Sequence, residues 1–294
     1  MAAAEGDAGA RPETAVWELR HTRVALRTPL LMGILNVTPD SFSDGGLHLQ
    51  ADAALLRARQ LVEEGAGMID VGGESTRPGA RTVAASEETA RVVPIIRMLK
   101  SELAVPISVD TRKAVVARAA LDAGADVVND VSALGDPEMA SVVAGSGAGM
   151  VLMHMRGTPA TMQENPSYDD VAGEVRDELA ESLSAAVAAG IAAERIVIDP
   201  GIGFAKNQEH NLRLLSQLSM VRTLGRPQLL GVSRKAFIGA LLGGVEPAKR
   251  AVGTAAACVI GLLAGVRIFR VHDVAVVREA LTVAEAIRAA APAR

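Results

Sequence analysis

The stretch PISVDTRKAVVARAALDAGADVVND, residues 106–130, contains one complete unit of the fold that this sequence predicts. It begins with the short β-rich segment PISVD (106–110), continues through the alanine-rich segment RKAVVARAALDAG (112–124), and ends with DVVND (126–130). The middle segment has helical periodicity and ends in glycine, which often terminates a helix. A strand, a helix and a second strand in this order are typical of a parallel βα unit.

The same alternation continues in both directions along the chain. Alanine-rich segments such as DAALLRARQLVEEG, SEETARVVPIIRMLKSEL and GEVRDELAESLSAAVAAG separate short apolar segments. Eight strands with eight helices over about 260 residues match a (β/α)8 TIM barrel better than a doubly wound sheet. An N-terminal β-hairpin, formed by VWELR and RVALR, is predicted to precede the barrel and to cover its bottom. The predicted strands cover residues 31–36, 67–72, 106–110, 126–130, 149–154, 195–200, 228–233 and 267–272.

The length and composition are those of one large globular domain. The chain has 294 residues, of which 49% are hydrophobic and 22% charged, so it can bury a sizeable core. A single α/β barrel reaches this length. We predict a disordered tail over residues 1–14, which has acidic residues and no apolar segment of the signal-peptide kind, and one barrel domain over residues 15–294.

Charge and composition argue against several classes of partner. A net charge of −4 and an aromatic content of 2% argue against nucleic-acid binding. The single cysteine, Cys258, excludes an internal disulfide and a thiolate zinc site, which is compatible with a reducing compartment. It lies in an uncharged run of 16 residues, 251–266, which is shorter than the roughly 20 residues that cross a bilayer. The sequence therefore predicts a cytoplasmic protein with no nucleic-acid or membrane partner.

Polar side chains stand at the carboxyl end of nearly every predicted strand. In a TIM barrel these ends form the mouth that holds the active site. Polar groups brought together in a mouth of low dielectric constant are costly unless they have partners, so their convergence predicts a binding site. The residues at these ends are Asn36, Gly72, Gly73, Asp110, Asn129, Asp130, His154, Asp199, Ser233, Arg234, Lys235, Arg270 and His272.

Several of these residues also have a purely structural interpretation. Asp110 could cap the helix that follows it, and Asp199 could form a turn before proline. Asn129 could satisfy the backbone of a loop, and Arg270 could form a surface salt bridge. We favour the shared site, because the structural interpretation would have to hold independently at each of eight strand ends.

The residue types indicate what such a site would bind. Aspartate and asparagine side chains together with one lysine offer donors and acceptors that suit a heterocycle with several ring nitrogens. Arg270 and His272 combine with Asn36, Asp44 and Arg77 to offer cations and metal-binding oxygens, which suits pyrophosphate with magnesium. The Arg270 guanidinium could also stack on an aromatic ligand.

Four segments follow predicted strands on this side of the barrel. The segments NVTPDSFSDGG (36–46) and GGESTRPGART (72–82) are predicted to act as lids, although mobile solvent loops have the same composition. The segment GIGFAK (201–206) is G-x-G-x-x-K and lacks the third glycine of a dinucleotide-binding fingerprint. The segment SRKAFIG (233–239) joins a strand to a helix, where helix amides could receive a carboxylate.

Eight motifs, taken in their order along the chain, closely resemble those of the bacterial dihydropteroate synthase family. The resemblance extends from about Leu31 to Val274, nearly the whole barrel, and the eight motifs together are highly specific. The motifs are NVTPDSFSDGG, GGESTRPGA, SVDTRK, VVNDVS, MHMRGTP, DPGIGFAKNQEHN, GVSRKAFIG and RVHDV.

The resemblance implies a transferase that joins 6-hydroxymethyl-7,8-dihydropterin pyrophosphate to 4-aminobenzoate in folate biosynthesis. It implies a pterin pocket of Asp110, Asn129, Met153, Asp199, Phe204, Lys235 and Arg270. It implies a 4-aminobenzoate site of Phe42, Thr76, Pro78, Lys235 and Ala236. It implies a diphosphate site of Asn36, Asp44, Arg77, Arg270 and His272, with Asn36 also a ligand of Mg²⁺. The residues implied in catalysis are Asp44, Arg77, Lys235, Arg270 and His272.

The resemblance also implies a dissociative mechanism, in which diphosphate leaves before the amine attacks a pterin cation. At position 236 alanine offers no hydroxyl, so a backbone amide would have to contact the carboxylate of 4-aminobenzoate. Inhibition by sulfonamides and a homodimer are further expectations, with the 251–266 helix as a contributor to the dimer.

Two alternatives stay open at this point. One is a pterin-binding methyltransferase, which acts on the same type of barrel but would not need the NVTPDSFSDGG and SRK motifs. The other is a catalytically silent homologue, which would not be expected to keep its charged site residues.

Overall fold

The structure, a computed structural model, describes residues 16–38, 47–77 and 79–290. The predicted tail over residues 1–14 lies outside the described residues, as do the predicted site residues Phe42, Asp44 and Pro78.

The described part of the chain contains a two-stranded hairpin and an eight-stranded parallel sheet. The hairpin consists of β1 (Val16–Glu18) and β2 (Arg23–Ala25). The sheet consists of β3 (Leu30–Asn36), β4 (Met68–Gly72), β5 (Ile107–Asp110), β6 (Val127–Asp130), β7 (Gly149–Met153), β8 (Ile196–Asp199), β9 (Leu229–Leu230) and β10 (Ile268–Val271).

The sheet closes into a barrel, as predicted. Its strands follow the order β8-β7-β6-β5-β4-β3-β10-β9, and a parallel bridge between Ile198 and Gln228 joins the two ends. Strand β9 is shorter than the predicted segment 228–233. The amide of Lys235 already donates to the carbonyl of Val232 at 3.3 Å, because the chain turns there toward the next helix.

Ten helices surround the sheet in the described residues, where the sequence predicts eight. The units after β8 and β9 each contain two helices, and Gln217 both ends the first and precedes the second of the earlier pair. The helices are α1 (Leu47–Glu63), α2 (Ala85–Glu102), α3 (Ala114–Asp122), α4 (Met139–Ser146), α5 (Val171–Ala188), α6 (Gln208–Ser216), α7 (Leu218–Arg222), α8 (Ala236–Leu241), α9 (Ala251–Leu263) and α10 (Val274–Ala290).

The hairpin closes the amino-terminal end of the barrel. Trp17 lies in β1, and Leu19 and Leu26 directly follow β1 and β2. All three are buried in one cluster with side chains from seven of the eight barrel strands. The Trp17 indole donates to the carbonyl of Arg195 at 2.8 Å. A Cβ atom added to Gly149 would lie 2.7 Å from Leu19, so glycine in β7 allows this close packing. In the described part of the chain, apolar side chains therefore fill this end of the barrel, and the polar residues predicted for the site lie at the opposite, carboxyl end.

Helix α9 is only partly buried, although its sequence carries no charge. Thr254, Ala255 and Cys258 face the core, whereas Val252 and Leu263 are exposed. Among the described helices, none combines the length and the apolar character needed to cross a membrane.

Candidate active site

The carboxyl ends of the barrel strands bring the predicted polar residues together. Asp110 of β5 is directly beside Asn129 of β6, and Met153 of β7 is directly beside Asp199 of β8. All four side chains are buried. Because parallel strands end at the same edge, these residues form one continuous floor for the mouth.

Arg270 lies at the centre of this floor and is held by two carboxylates. Its Nε donates to Asp70 Oδ2 at 2.6 Å and its Nη2 to Asp110 Oδ2 at 2.7 Å. Asn129 Nδ2 also donates to Asp70 Oδ2, at 3.0 Å. Four strands, β4, β5, β6 and β10, are thus joined across the barrel by charge-assisted hydrogen bonds, and the two from Arg270 fix the plane of its guanidinium. The alternative interpretation of Arg270 as a surface salt bridge is wrong.

One carboxylate oxygen of Asp110 has no hydrogen-bond partner within the described part of the chain. Oδ2 accepts from Arg270, whereas Oδ1 is buried without a hydrogen-bond partner. The alternative role as a helix cap is not observed, because the first amide of α3, that of Ala114, donates to Asp136 at 2.8 Å. Burial raises the pKa of Asp110 to about 7, against the lowering effect of Arg270. A buried acceptor of this kind calls for a donor from a ligand.

Asp199 has the turn-forming role that the sequence allowed, and its second carboxylate oxygen takes no part in that turn. Its Oδ1 accepts from the amide of Gly201 at 2.8 Å, which forms the turn after β8. Its Oδ2 faces β9, where a Cβ atom added to Gly231 would lie 3.5 Å away. Burial raises the pKa of Asp199 to about 6, while the Gly201 amide and Lys235 lower it.

Lys235 reaches the mouth from the segment between β9 and α8. Its stem lies along Gly203, where an added Cβ atom would be 3.0 Å from Lys235 Cδ. Its Nζ lies 3.8 Å from the centroid of the Phe204 ring, a distance typical of a cation–π contact. Burial lowers the pKa of Lys235 to about 8, and Asp199 and Asp110 counteract this. The amine is therefore within electrostatic range of both aspartates.

An apolar wall stands beside these charges. Phe204 and Met153 are buried in one cluster with Val131, Met162 and Ala205. A flat ring that contacts Met153 and Phe204 would have its edge near Asp110, Asn129 and Asp199, and this arrangement suits a bicyclic heterocycle.

His272 provides a neutral donor on the β10 side of the mouth. The His272 amide donates to Ser233 Oγ at 3.1 Å, and Ser233 Oγ lies 2.9 Å from His272 Nδ1. The serine hydroxyl, while accepting from the amide, can donate its own hydrogen to Nδ1, and in that tautomer the ring proton is on Nε2. Burial, followed by Arg270 and Arg234, lowers the pKa of His272 to about 3, so the ring is neutral near pH 7.

The remaining predicted residues lie around the rim. Asn36 is half-buried at the end of β3, and Thr76 and Arg77 follow β4, with Arg77 exposed. Arg77 is close enough to contribute to lowering the pKa of His272. Ala236 is exposed at the first position of α8.

Asn36 has the donor chemistry expected for magnesium. A Cβ atom added to Gly72 would lie 3.5 Å from Asn36 Oδ1, which places this amide oxygen over the second strand end. Within the described ranges, no three His, Cys, Asp or Glu side chains form a group that could hold a metal ion. The Asn36 amide oxygen is a hard oxygen donor of the type that Mg²⁺ accepts, and Mg²⁺ commonly takes few protein ligands together with substrate phosphates.

Sequence reasoning missed Asp70 and misjudged His154. Asp70 is fully buried two residues before the end of β4, on the same face as Met68 and Gly72. A carboxylate inside an otherwise apolar strand was the available signal, since a buried charge requires a partner. His154 does not join the mouth, because its ring nitrogens contact Glu178 and Lys206 instead.

The family model described as pterin binding enzyme matches residues 32–272. A dihydropteroate synthase from Synechocystis is 48% identical over 258 residues, which cover 87% of this chain and 89% of that protein. A dihydropteroate synthase from Escherichia coli is 46% identical over 265 residues, covering 90% of this chain and 94% of that protein.

Solved structures of such enzymes have the same fold. The Xanthomonas albilineans enzyme with 4-aminobenzoic acid matches with a TM-score of 0.89 and 46% identity, over 95% of this chain and 100% of that one. The same organism's enzyme in complex with 7,8-dihydropteroate matches with a TM-score of 0.85 and 42% identity, over 94% and 100%. The Yersinia pestis enzyme in a sulfonamide drug complex matches with a TM-score of 0.88 and 44% identity, over 94% and 100%.

Proposed function

Because the chain belongs to the family of pterin binding enzymes, as its motifs predict, we propose that it acts as a dihydropteroate synthase. It condenses (7,8-dihydropterin-6-yl)methyl diphosphate with 4-aminobenzoate, and the products are 7,8-dihydropteroate and diphosphate. The observation that carries this proposal is the buried, unpartnered Oδ1 of Asp110 in a floor shared with Asn129 and Asp199.

The floor supports recognition of the pterin ring. Asp110 Oδ1 and Asp199 Oδ2 can accept from ring N–H and amino groups, and Asn129 can both donate and accept. Lys235 Nζ can donate to a ring carbonyl or nitrogen, and the Arg270 plane can stack on the bicyclic ring. Relatives solved with 4-aminobenzoic acid and with 7,8-dihydropteroate support these small-molecule substrates.

A dissociative mechanism agrees with the charges around the mouth. The carboxylates of Asp70, Asp110 and Asp199 stabilise positive charge that develops on the pterin when diphosphate leaves. Arg270 keeps Nη1 free of hydrogen bonds to described residues, and His272 offers its Nε2 proton, so both can stabilise the departing anion. The amine of 4-aminobenzoate then attacks the cation, and no nucleophilic side chain is required.

Magnesium would support the leaving group. Asn36 would hold Mg²⁺ together with diphosphate oxygens, and the ion would supply charge neutralisation at those oxygens. Asp44 and Arg77, on the two predicted lids, would close over the same anion. Thr76, Phe42, Pro78 and the Lys235–Ala236 junction would shape the 4-aminobenzoate site.

The direct test is an assay with purified protein, the pterin diphosphate, 4-aminobenzoate and Mg²⁺. We expect dihydropteroate and diphosphate to form in equal amounts, and omission of 4-aminobenzoate to remove the pteroate product. A protein that forms neither product but transfers a methyl group from a methylated reduced folate to a corrinoid protein would be the alternative methyltransferase. Failure to complement a strain lacking the synthase, despite folded expression, would support the catalytically silent alternative.

The acidic and basic groups of the mouth predict a bell-shaped pH dependence. The raised pKa values of Asp199, about 6, and of Asp110, about 7, mean that the accepting carboxylates form as the pH rises through this range. The lowered pKa of Lys235, about 8, means that its charge is lost above that pH. We expect kcat/KM for the pterin diphosphate to rise on the acid side and fall on the alkaline side, as apparent values for the coupled groups. Lys235→Arg should shift the alkaline limb upward, and a flat profile from about pH 5.5 to 9 would contradict the assignment.

A homodimer and a cytoplasmic location complete the proposal. Helices α9 and α10 pack together and expose Val252, Ile260, Leu263, Val283 and Ile287. An apolar face of this kind is common at subunit interfaces. A solution mass near 30.4 kDa, that of one chain, would count against the dimer.

A further inference from the structure

Lys206 is a buried lysine just outside the mouth, and it has no role in the proposed reaction steps. It ends the loop that follows β8, and only 2% of its surface is exposed. Its Nζ lies 3.1 Å from the carbonyl of Gly201, 3.0 Å from that of Phe204 and 2.9 Å from His154 Nδ1. Burial lowers the pKa of Lys206 to about 7, and the carboxylates of Asp199 and Glu178 counteract this. In its charged form the ammonium has three N–H donors, and here each has an acceptor.

His154 has the protonation state that the third acceptor of Lys206 requires. Its Nε2 lies 3.0 Å from Glu178 Oε2 on helix α5, and Arg156 binds the other oxygen of that carboxylate. Since Nε2 donates to Glu178, Nδ1 carries a lone pair that faces Lys206. Burial, followed by the charges of Lys206 and Arg156, lowers the pKa of His154 to about 2, so the ring stays a neutral acceptor.

The loop that Lys206 ties down has an unusual backbone. Gly201, Gly203 and Ala205 all have positive φ, with values of 67°, 81° and 49°. Such a conformation is unfavourable for an alanine, so it persists only where other contacts fix it. Between these residues lies Phe204, whose ring receives Lys235 Nζ.

The same loop also orients Asp199. The amide of Gly201 donates to Asp199 Oδ1, and the amide of His154 donates to the Asp199 carbonyl at 2.9 Å. A Cβ atom added to Gly201 would lie 1.9 Å from the His154 carbonyl, so the two segments are in direct contact. Movement of the loop would therefore displace both a carboxylate and an aromatic wall of the pterin pocket.

We propose that Lys206 is a positioning residue for the pterin: its ammonium ties the 201–206 loop to His154, so that Phe204 and Asp199 keep their places in the mouth. This inference rests on the proposed synthase function. Lys206 also acts through its charge, which helps to lower the pKa of Asp199 against the effect of burial. Lys206 acts through the protein and does not contact the reacting atoms.

Two substitutions separate the charge of Lys206 from its hydrogen bonds. Lys206→Met removes the ammonium and keeps the length of the side chain, whereas Lys206→Arg keeps the positive charge. We expect Lys206→Met to weaken binding of unreactive 6-hydroxymethyl-7,8-dihydropterin about ten- to a hundredfold, because displacement of Asp199 would cost a hydrogen bond to a charged group, which is worth about this factor. KM for 4-aminobenzoate should change far less. The acid limb of kcat/KM should move to higher pH in Lys206→Met and return toward wild type in Lys206→Arg.

Lys100 offers a matched control at the other end of the barrel. Its Nζ lies 2.7 and 2.8 Å from the two oxygens of Asp126, a buried carboxylate before β6. Lys100→Met should lower thermal stability but leave the pterin affinity and the acid limb unchanged. Equal effects of Lys100→Met and Lys206→Met on pterin affinity would overturn the proposal, since loss of stability alone would then explain both.

A second variant covers the case in which Lys206→Met does not fold. His154→Leu leaves the ammonium with two carbonyl acceptors and should weaken pterin binding in the same direction, by about threefold. Unchanged pterin affinity in the folded variants would overturn the proposal. Binding of the unreactive pterin is measured without turnover. A wild-type protein that binds this pterin but makes no dihydropteroate would therefore reject the synthase function. The binding measurements on the variants would still test the role of Lys206.

Discussion

Lys235→Ala is expected to remove most synthase turnover and to leave the barrel folded. The substitution removes the cation beside Asp110 and Asp199 and exposes the Phe204 ring. Loss of one preorganised hydrogen-bond donor reduces kcat by about a hundred- to a thousandfold in other enzymes. The fold should tolerate the change, because no hydrogen bond from Lys235 Nζ to another described side chain stabilises it, and its cation–π contact with the buried Phe204 ring contributes about 2 kcal/mol at most.

The measurements are kcat and KM for both substrates, together with thermal unfolding. Lys249→Ala provides the control, since Lys249 is an exposed lysine in the 3₁₀ turn after α8. A Lys235→Ala variant that turns over at the wild-type rate would remove Lys235 from the site.

Arg270→Met is expected to abolish activity and, unlike the lysine substitution, to destabilise the protein strongly. It leaves Asp70, which is fully buried, and Asp110 without their shared cation. Breaking a buried pair by removing one partner costs about 3–5 kcal/mol in the free energy of unfolding, because an uncompensated charge stays inside. Denaturant unfolding measures this loss, and the synthase assay measures the accompanying loss of activity.

A second substitution separates the two effects of Arg270→Met. Asp70→Asn removes one of the stranded charges while keeping the side chain's shape and its acceptor for Asn129. The double variant should regain part of the unfolding free energy and none of the activity. Recovery of activity along with stability would show that Arg270 acts only as a structural partner of Asp70.

The barrel was predictable from the sequence because apolar residues recur at different spacings in its strands and in its helices. Strand bounds agree well where a strand is fully paired, as in 106–110 against Ile107–Asp110. The agreement is poorest at β9, where an apolar segment continues beyond the last ladder pair with Phe269. The local sequence shows that a segment is apolar. The residue at which the chain leaves the sheet is determined by three-dimensional packing.

The site was predictable as far as it lies at strand ends. Asp110, Asn129, Asp199 and Arg270 follow from their positions alone, since parallel strands must end together. The buried partner Asp70 lies one layer deeper and does not end a strand, and Lys206 stands at the end of a glycine-containing loop. Asp70 and Lys206 matter because of partners that are far away in sequence, and the residues next to them in the chain do not indicate those partners.

The hairpin around Trp17 determines how molecules reach the chemistry. Within the described part of the chain, the apolar cluster around Trp17 fills the amino-terminal end of the barrel, so the substrates of the proposed reaction would enter at the carboxyl end. A ring seated against Asp110 and Asn129 lies below any amine that approaches from the rim, so the deeper ligand has to enter first. The proposed synthase would therefore bind the pterin diphosphate before 4-aminobenzoate.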